Sequence, residues 1–219
     1  MTVLDFARGP GLQWSLVIFV VGVLWRLTGI FFLKHKRDLN EPRHGGLAPW
    51  LGGLKVVFTR MWPRREFRAR TAYSETLGYV FHFGLAIVVF GGAFHITFIK
   101  SLFGVSWGNL PNSVIYFTAV ITLATMVALL IRRMTHPVLR VLSNFDDYLS
   151  WAVAAAPLVT GMMATAHLGG PYETLLGVHI LSFEVLLVWF PFGKLMHAFL
   201  FAPSRAATGY VFTRKGAST

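Results

Sequence analysis

Five long apolar stretches dominate this sequence and restrict the folds open to it. They occupy residues 12–33, 76–99, 113–131, 148–166 and 174–201. The hydrocarbon core of a bilayer is about 30 Å thick, and a helix needs about 20 apolar residues to cross it. Because backbone groups in lipid must satisfy their hydrogen bonds internally, we expect each stretch to be a transmembrane helix. The sequence therefore predicts an all-α integral membrane protein with five transmembrane helices, forming a single membrane domain over residues 1–219.

The composition excludes a water-soluble globule. Only 13% of the residues are charged, whereas soluble domains carry roughly 25%. The chain has no cysteine, which excludes thiolate metal sites, iron–sulfur clusters, covalent c-type haem attachment and disulfides. The formal net charge of +11 indicates membrane topology and contact with anionic lipid headgroups, so we expect membrane lipid and no nucleic acid among the partners.

Lysine and arginine are distributed unevenly between the two ends of the predicted helices. The segment at 34–72 holds ten of them, and the loop after the third span and the C-terminal tail hold three each. Only Arg8 and Lys100 lie on the other side. The positive-inside rule then predicts an N-terminus outside and a cytoplasmic C-terminus. We expect a multi-pass protein of the bacterial or archaeal cytoplasmic membrane.

The basic segment at 34–72 also contains an apolar part, at residues 47–62. Trp50, Leu54 and Phe58 alternate there with Lys55 and Arg60. This pattern predicts a short amphipathic helix lying in the cytoplasmic interface of the membrane. A docking platform for a cytoplasmic partner is the alternative interpretation.

Four of the eight histidines lie inside predicted spans, which is costly at membrane depth and usually functional. They are His82 and His95 on the second span and His179 and His197 on the fifth. Since the two spans run in opposite directions, His82 and His197 match in depth near the inner face, and His95 and His179 match near the outer face. Each pair could hold one haem iron between two neutral imidazoles. The remaining histidines lie in loops or at their margins, and the first three are predicted to be solvated: His35, His44, His136 and His167.

The helical phase of the histidines is a second test of this pairing. His179 and His197 are 18 residues apart, or five turns of about 3.6 residues, so a continuous helix would place them on one face. His82 and His95 are 13 apart, which leaves them roughly 140° out of phase on an ideal helix. The Gly-Gly sequence at 91–92 could kink the helix and re-aim His95.

Other residues of the spans have two interpretations each. Gly84 and Gly91 would let a macrocycle approach the second helix, or they serve helix–helix packing. Arg26 could pair with a haem propionate or extend to the headgroups. Glu184 could relay quinol protons near the outer haem, or it is a packed, protonated acid.

Two further functions remain open from the residues alone. Four histidines that each make an interhelical hydrogen bond would indicate a haem-free membrane anchor subunit. Histidines that line a proton path would indicate a proton-coupled transporter, which usually also requires carboxylates, and within the spans only Glu184 is available.

Two motifs resemble the gamma subunit of respiratory nitrate reductase. One is Phe-His-Phe-Gly at 81–84; the other combines Gly-Val-His at 177–179 with Phe-Pro-Phe-Gly-Lys-Leu-Met-His at 190–197. The resemblance implies a dihaem membrane cytochrome b with five helices and an outside N-terminus. It implies that His82 and His197 hold the inner haem b and that His179, with the second histidine of the second span, holds the outer one.

The resemblance also implies a role in electron transport. Such a subunit oxidises quinol near the outer haem and passes electrons to a cytoplasmic iron–sulfur subunit of an oxidoreductase complex; a different redox partner could reverse the flow. The sequence departs from the family at two positions. The family spaces its two histidines on the second helix ten apart, which would place the outer ligand at Gly92, and we assign it to His95 instead. Ile115 occupies the position of a quinol-binding lysine. A single-haem variant therefore stays open.

Overall fold

A computed structural model describes residues 2–33, 41–43 and 45–217. These residues form helices and connecting segments, and they include no strand. Lys34, His35, Lys36, Arg37 and His44 lie outside the described residues. The helices are α1 Val3–Phe31, α2 Pro49–Thr59, α3 Arg68–Gly91, α4 Ala93–Phe103, α5 Asn112–Thr135, α6 Pro137–Leu142, α7 Phe145–Ala166, α8 Tyr172–Trp189 and α9 His197–Arg214.

Five of these helices are long and apolar enough to cross a membrane, namely α1, α3, α5, α7 and α8. The all-α fold with five such helices is therefore confirmed. Their outer surfaces carry large exposed apolar side chains, including Trp14 at 68%, Phe83 at 65% and Phe117 at 66% exposure. Soluble proteins rarely expose such surfaces, so the bundle is built to face lipid.

The first transmembrane helix begins at Val3, earlier than the predicted residue 12. A capping box starts it, because Asp5 N–H donates to Thr2 Oγ1 at 3.1 Å and Thr2 N–H donates to the Asp5 carboxylate at 2.8 Å. The helix continues through the Gly-Pro sequence at 9–10. Gly9 takes non-helical angles (φ −107°, ψ −109°) within a π-helical turn at Ala7–Gly11, so the helix is kinked there rather than ended.

The second predicted span is divided into two helices. α3 ends at Gly91, Gly92 is extended (φ −75°, ψ 128°), and α4 continues from Ala93. The break leaves backbone carbonyls of α3 without helical partners. The segment before α5 satisfies two of them, since Trp107 Nε1 donates to Phe90 O at 2.6 Å and Leu110 N–H donates to Gly91 O at 2.9 Å.

The continuous fifth helix predicted for 174–201 is wrong. α8 ends at Trp189, and a turn followed by a short 3₁₀ segment at Lys194–Met196 leads into α9. Pro191 explains the break, because proline has no N–H to donate to the preceding turn and its ring clashes there. The turn packs against α1 at Gly22, where a Cβ atom would lie 2.6 Å from Pro191 Cγ. The phase argument for His179 and His197 therefore does not apply.

The transmembrane helices pack in the order α3, α5, α7, α8 and α1. A core cluster joins α3, α5 and α7, and it contains Val88, Ala119, Met126, Ala155 and Leu158. Among the described residues, α3 and α8 have no extensive backbone contact with each other. α3, which carries His82, and α8, which carries His179, are therefore connected through the rest of the bundle.

α2 lies within the predicted amphipathic segment and packs against α9. Small residues allow this close approach: a Cβ on Gly53 would lie 2.8 Å from Ala206 O, and one on Gly209 would lie 2.6 Å from Gly52 O. The sequence alone did not predict this helix pair.

Candidate functional site

The four histidines of the predicted spans meet in two pairs. The ring centroids of His82 and His197 are 6.1 Å apart with an interplanar angle of 89°. The ring centroids of His95 and His179 are also 6.1 Å apart, with an interplanar angle of 42°. The pairs are those that depth matching predicts. His136 and His167, by contrast, are exposed loop residues.

In the inner pair, hydrogen bonds determine which ring nitrogen keeps a free lone pair that can bind a metal. His82 Nδ1 lies 2.7 Å from Gly78 O, and His197 Nδ1 lies 2.8 Å from Lys194 O. A carbonyl oxygen can only accept, so Nδ1 carries the proton and donates in both residues. Nε2 of each neutral ring then keeps a free lone pair. Metal-binding histidines usually have this arrangement, in which the second nitrogen donates to a backbone carbonyl.

The outer pair has the same arrangement. His95 Nδ1 lies 3.0 Å from Val88 O, and His179 Nδ1 lies 3.3 Å from Thr160 Oγ1. Because the Thr160 hydroxyl donates its proton to Ala156 O at 2.7 Å, it accepts from His179 Nδ1. All four histidines therefore expose Nε2 as the potential ligand atom.

The ring separation suits one metal ion between each pair. A metal–imidazole bond is about 2 Å long, and the distance from nitrogen to the ring centre adds roughly 1 Å on each side, so two imidazoles on one ion have centroids about 6 Å apart. The described residues contain no cluster of three or more His, Asp or Glu side chains. The donor set is two imidazoles per site, which fits a haem iron with its four porphyrin nitrogens better than a tetrahedral zinc ion.

The break in the second span explains how His95 reaches His179. On a continuous helix His95 would point away from the face that carries His82. The extended Gly92 changes the direction of the chain, and Val88 O, at the end of α3, accepts both Gly92 N–H at 3.3 Å and His95 Nδ1 at 3.0 Å. The kink expected at 91–92 is a full helix break, and it orients the His95 ring.

A cavity of about 480 Å³ opens beside His197. Arg26, Lys194, Asp146 and Phe201 are among the residues that line it. Its size is within the range of small-molecule and cofactor sites. Arg26 therefore lines the same cavity as His197, and its guanidinium and the Lys194 ammonium are the two cationic groups among the lining residues.

A buried carboxylate near this cavity was not singled out from the sequence. Asp147 of α7 forms ion pairs with Arg133 of α5 at 2.8 Å and with Lys194 at 2.5 Å, and the Asp147 side chain is 5% exposed. The adjacent Asp146 accepts Lys194 N–H at 3.3 Å and Ser150 Oγ at 2.7 Å. The sequence feature that could have indicated this carboxylate is the Asp-Asp pair just before an apolar span, because acids at a span boundary need cationic or hydrogen-bonding partners.

The chain was compared with known proteins. It is 32% identical over 223 residues to a protein of Nitratidesulfovibrio vulgaris, a match that covers 97% of this chain and 96% of the relative. The chain belongs to the family of that protein. The relationship extends over nearly the whole of both chains rather than over one segment. No family model matches the chain, and no solved structure matches it.

In this member of the family, neighbouring side chains fill the space beside Gly84 and Gly91. A Cβ on Gly84 would lie 2.1 Å from Thr122 Oγ1, and a Cβ on Gly91 would lie 2.8 Å from Leu110 Cδ1. The same added Cβ on Gly91 would lie 3.1 Å from Ile115 Cδ1. These contacts favour the helix-packing alternative over contact with a macrocycle.

Gly161 of α7 was missed from the sequence and lies nearer the outer pair. A Cβ added there would lie 3.0 Å from Cε1 of His179. The only sequence signal was a small residue directly after Thr160 and one turn after Pro157, and no predicted ligand lies near it in the chain.

Glu184 lies between α8 and α1 and is 6% exposed. Its Oε1 atom has no hydrogen-bond partner among the described residues. The carboxyl group packs against Gly11 of the π-helical turn, where a Cβ would lie 2.6 Å from Oε2. Five residues separate Glu184 from His179, so the two side chains point to different sides of α8, about 140° apart. A role in quinol chemistry therefore stays a prediction.

Proposed function

We propose that this chain is a dihaem cytochrome b membrane subunit that exchanges electrons between the quinone pool and a redox partner. The observation that carries the proposal is the meeting of four intramembrane histidines in two pairs, each with ring centroids 6.1 Å apart. A b-type haem needs two axial ligands and no cysteine, and this chain has no cysteine. The residues present therefore fit two haem b groups.

The protein side of each site is preorganised for ligation. His82 and His197 would hold the inner haem, and His95 and His179 the outer haem. Each Nδ1 proton is held by an oxygen acceptor, which fixes the tautomer and the ring orientation. Arg26 is placed to neutralise a propionate beside His197. When bound, haem supplies one-electron transfer, and the protein supplies ligation, orientation and the surrounding charge.

Two sites at different depths provide a route across the bilayer. His82 and His95 are 13 positions apart in the chain, or about 20 Å along a helix at about 1.5 Å per residue. With the N-terminus outside, as the lysine and arginine distribution predicts, the route runs from an outer quinol site to a cytoplasmic iron–sulfur or other redox subunit. We infer quinol oxidation as the direction, with Glu184 as a candidate proton acceptor.

The relationship to the gamma subunit of respiratory nitrate reductase remains part of this proposal. The histidine pairs and the Phe-Pro-Phe turn before His197 support a membrane subunit of that type in the bacterial or archaeal cytoplasmic membrane. The identity of the partner's substrate does not follow from the fold.

A spectroscopic assay of the purified protein tests the function. A reduced-minus-oxidised spectrum, combined with a pyridine haemochrome assay, should give two b-type haems per chain. His197→Ala should remove the inner haem and leave the outer one, while the loop variant His136→Ala should retain both. One haem per chain would support the single-haem alternative. A protein without haem would contradict the proposal and favour a haem-free anchor or a proton-coupled transporter.

A further inference from the structure

An ion-paired cluster lies at the end of the bundle that carries His197. Arg133 ends α5, Asp147 begins α7, and Lys194 belongs to the turn between α8 and α9. The Asp147 carboxylate bridges the two cations, with Oδ1 at 2.8 Å from Arg133 and Oδ2 at 2.5 Å from Lys194. One buried carboxylate thus connects two transmembrane helices with the segment that begins α9.

Lys194 is restrained through three different groups. Its Nζ atom contacts Asp147, and its backbone N–H donates to Asp146 Oδ1 at 3.3 Å. Its carbonyl oxygen accepts the proton of His197 Nδ1 at 2.8 Å. The position of the acceptor that orients the His197 ring is therefore fixed by the carboxylates at the start of α7.

At this end of the bundle three cationic groups face two anionic ones, and loss of Asp147 would leave a single carboxylate against the three cations. The cationic groups that face the turn and its cavity are Arg26, Lys194 and Arg133, and the anionic groups are Asp146 and Asp147. In a partly buried site a single charge has a larger effect than in water. A change of one carboxylate should therefore alter the energy of any redox centre held by His197.

We propose that Asp147 is the positioning residue of the inner histidine pair, acting through Lys194 on the orientation of His197 and through its charge on the reduction potential of the iron held there. This inference rests on the proposed function. Asp147 is distinct from the ligands themselves, because it reaches His197 only through the Lys194 backbone. The outer pair has no corresponding ion pair among the described residues.

Asp147→Asn in the purified haem-loaded protein tests the inference. Loss of the negative charge disfavours the oxidised iron, so the midpoint potential of the inner haem should shift to a more positive value, while the outer haem keeps its potential. The low-spin electron paramagnetic resonance signal of the inner haem should also change, because the His197 ring is less restrained. Asp5→Asn is the matched control: Asp5 is likewise the third residue of a capped helix, and its variant should leave both potentials unchanged.

Lys194 variants separate position from charge. Lys194→Gln should shift the inner potential in the negative direction, Lys194→Arg should restore it, and the double variant Asp147→Asn/Lys194→Gln should return towards the wild-type value. Selective loss of the inner haem in Asp147→Asn would also support a positioning role. If Asp147→Asn prevents folding, Lys194→Gln decides by itself.

Unchanged inner potentials in protein that contains both haems would overturn this inference and leave the proposed function intact. A wild-type protein without haem would overturn both.

Discussion

His95 and His179 face each other, with ring centroids 6.1 Å apart, because the helix that carries His95 is interrupted at Gly92. A regular helix would turn the His95 ring away from the face that carries His82. The break also brings His95 Nδ1 to 3.0 Å from Val88 O, which accepts it in addition to Gly92 N–H. The meeting of the second histidine pair therefore depends on a backbone irregularity, which gives a first test of the proposed outer site.

Gly92→Ala should impair the outer site selectively. A Cβ at this position would lie 2.9 Å from Val88 O and 3.2 Å from His95 Nδ1, so the acceptor and the ring would both have to move. We expect loss of the outer haem signal with the inner signal retained, measured by redox-poised difference spectra. Gly78→Ala, on the same span but with no atom within 4 Å of its added Cβ, should retain both. Two intact haems in Gly92→Ala would contradict this account of His95.

Thr160→Val should weaken the outer site in a different way. The variant keeps the shape of the side chain but removes the hydroxyl that accepts from His179 Nδ1 at 3.3 Å. Loss of such an orienting partner typically lowers metal affinity about 10–100-fold, and haem retention during dilution or competition with apo-myoglobin should show a decrease of that order. Thr165→Val, which removes an exposed hydroxyl bonded to Gly161 O, is the control. Equal haem retention in the two variants would argue against a role for Thr160.

Gly84→Ala distinguishes helix packing from haem contact. Its Cβ would lie 2.1 Å from the Oγ1 atom of Thr122, a residue with 0% exposure. Overpacking of this kind costs about 1–3 kcal/mol, so we expect a lower thermal unfolding temperature with both haem spectra unchanged. The double variant Gly84→Ala/Thr122→Ala should recover most of the stability. A perturbed inner spectrum without loss of stability would instead restore Gly84 as a haem-contact position.

The orientation in the membrane can be tested with single cysteines, because the chain has none of its own. Gly108→Cys lies in the segment between α4 and α5, and Glu66→Cys lies in the segment before α3; both positions are exposed. A membrane-impermeant maleimide should label Gly108→Cys in intact spheroplasts, and Glu66→Cys only after permeabilisation. The reverse pattern would invert the topology and place the pair His82 and His197 on the outer side.

The sequence by itself determined the transmembrane architecture and the pairing of the histidines. Hydropathy is a property of the local sequence, because a stretch of about 20 apolar residues is long enough to cross the hydrocarbon core as a helix. Depth follows from position within a span, so the partners His82 with His197 and His95 with His179 could be predicted before any contact was known.

Only the tertiary structure decided how those rings are aimed. Pro191 ends α8 locally, but the break at Gly92 is completed by hydrogen bonds from Trp107 and Leu110, and Asp147 is ion-paired with Arg133 and Lys194, all of them distant in the chain. The phase argument for His179 and His197 does not apply, because helical phase holds only while the backbone hydrogen bonds continue, and they are interrupted at Pro191. The contact of α2 with α9 and the close packing of Thr122 against Gly84 likewise depend on which helices meet. Hydropathy does not predict such packing, because it describes each helix by itself.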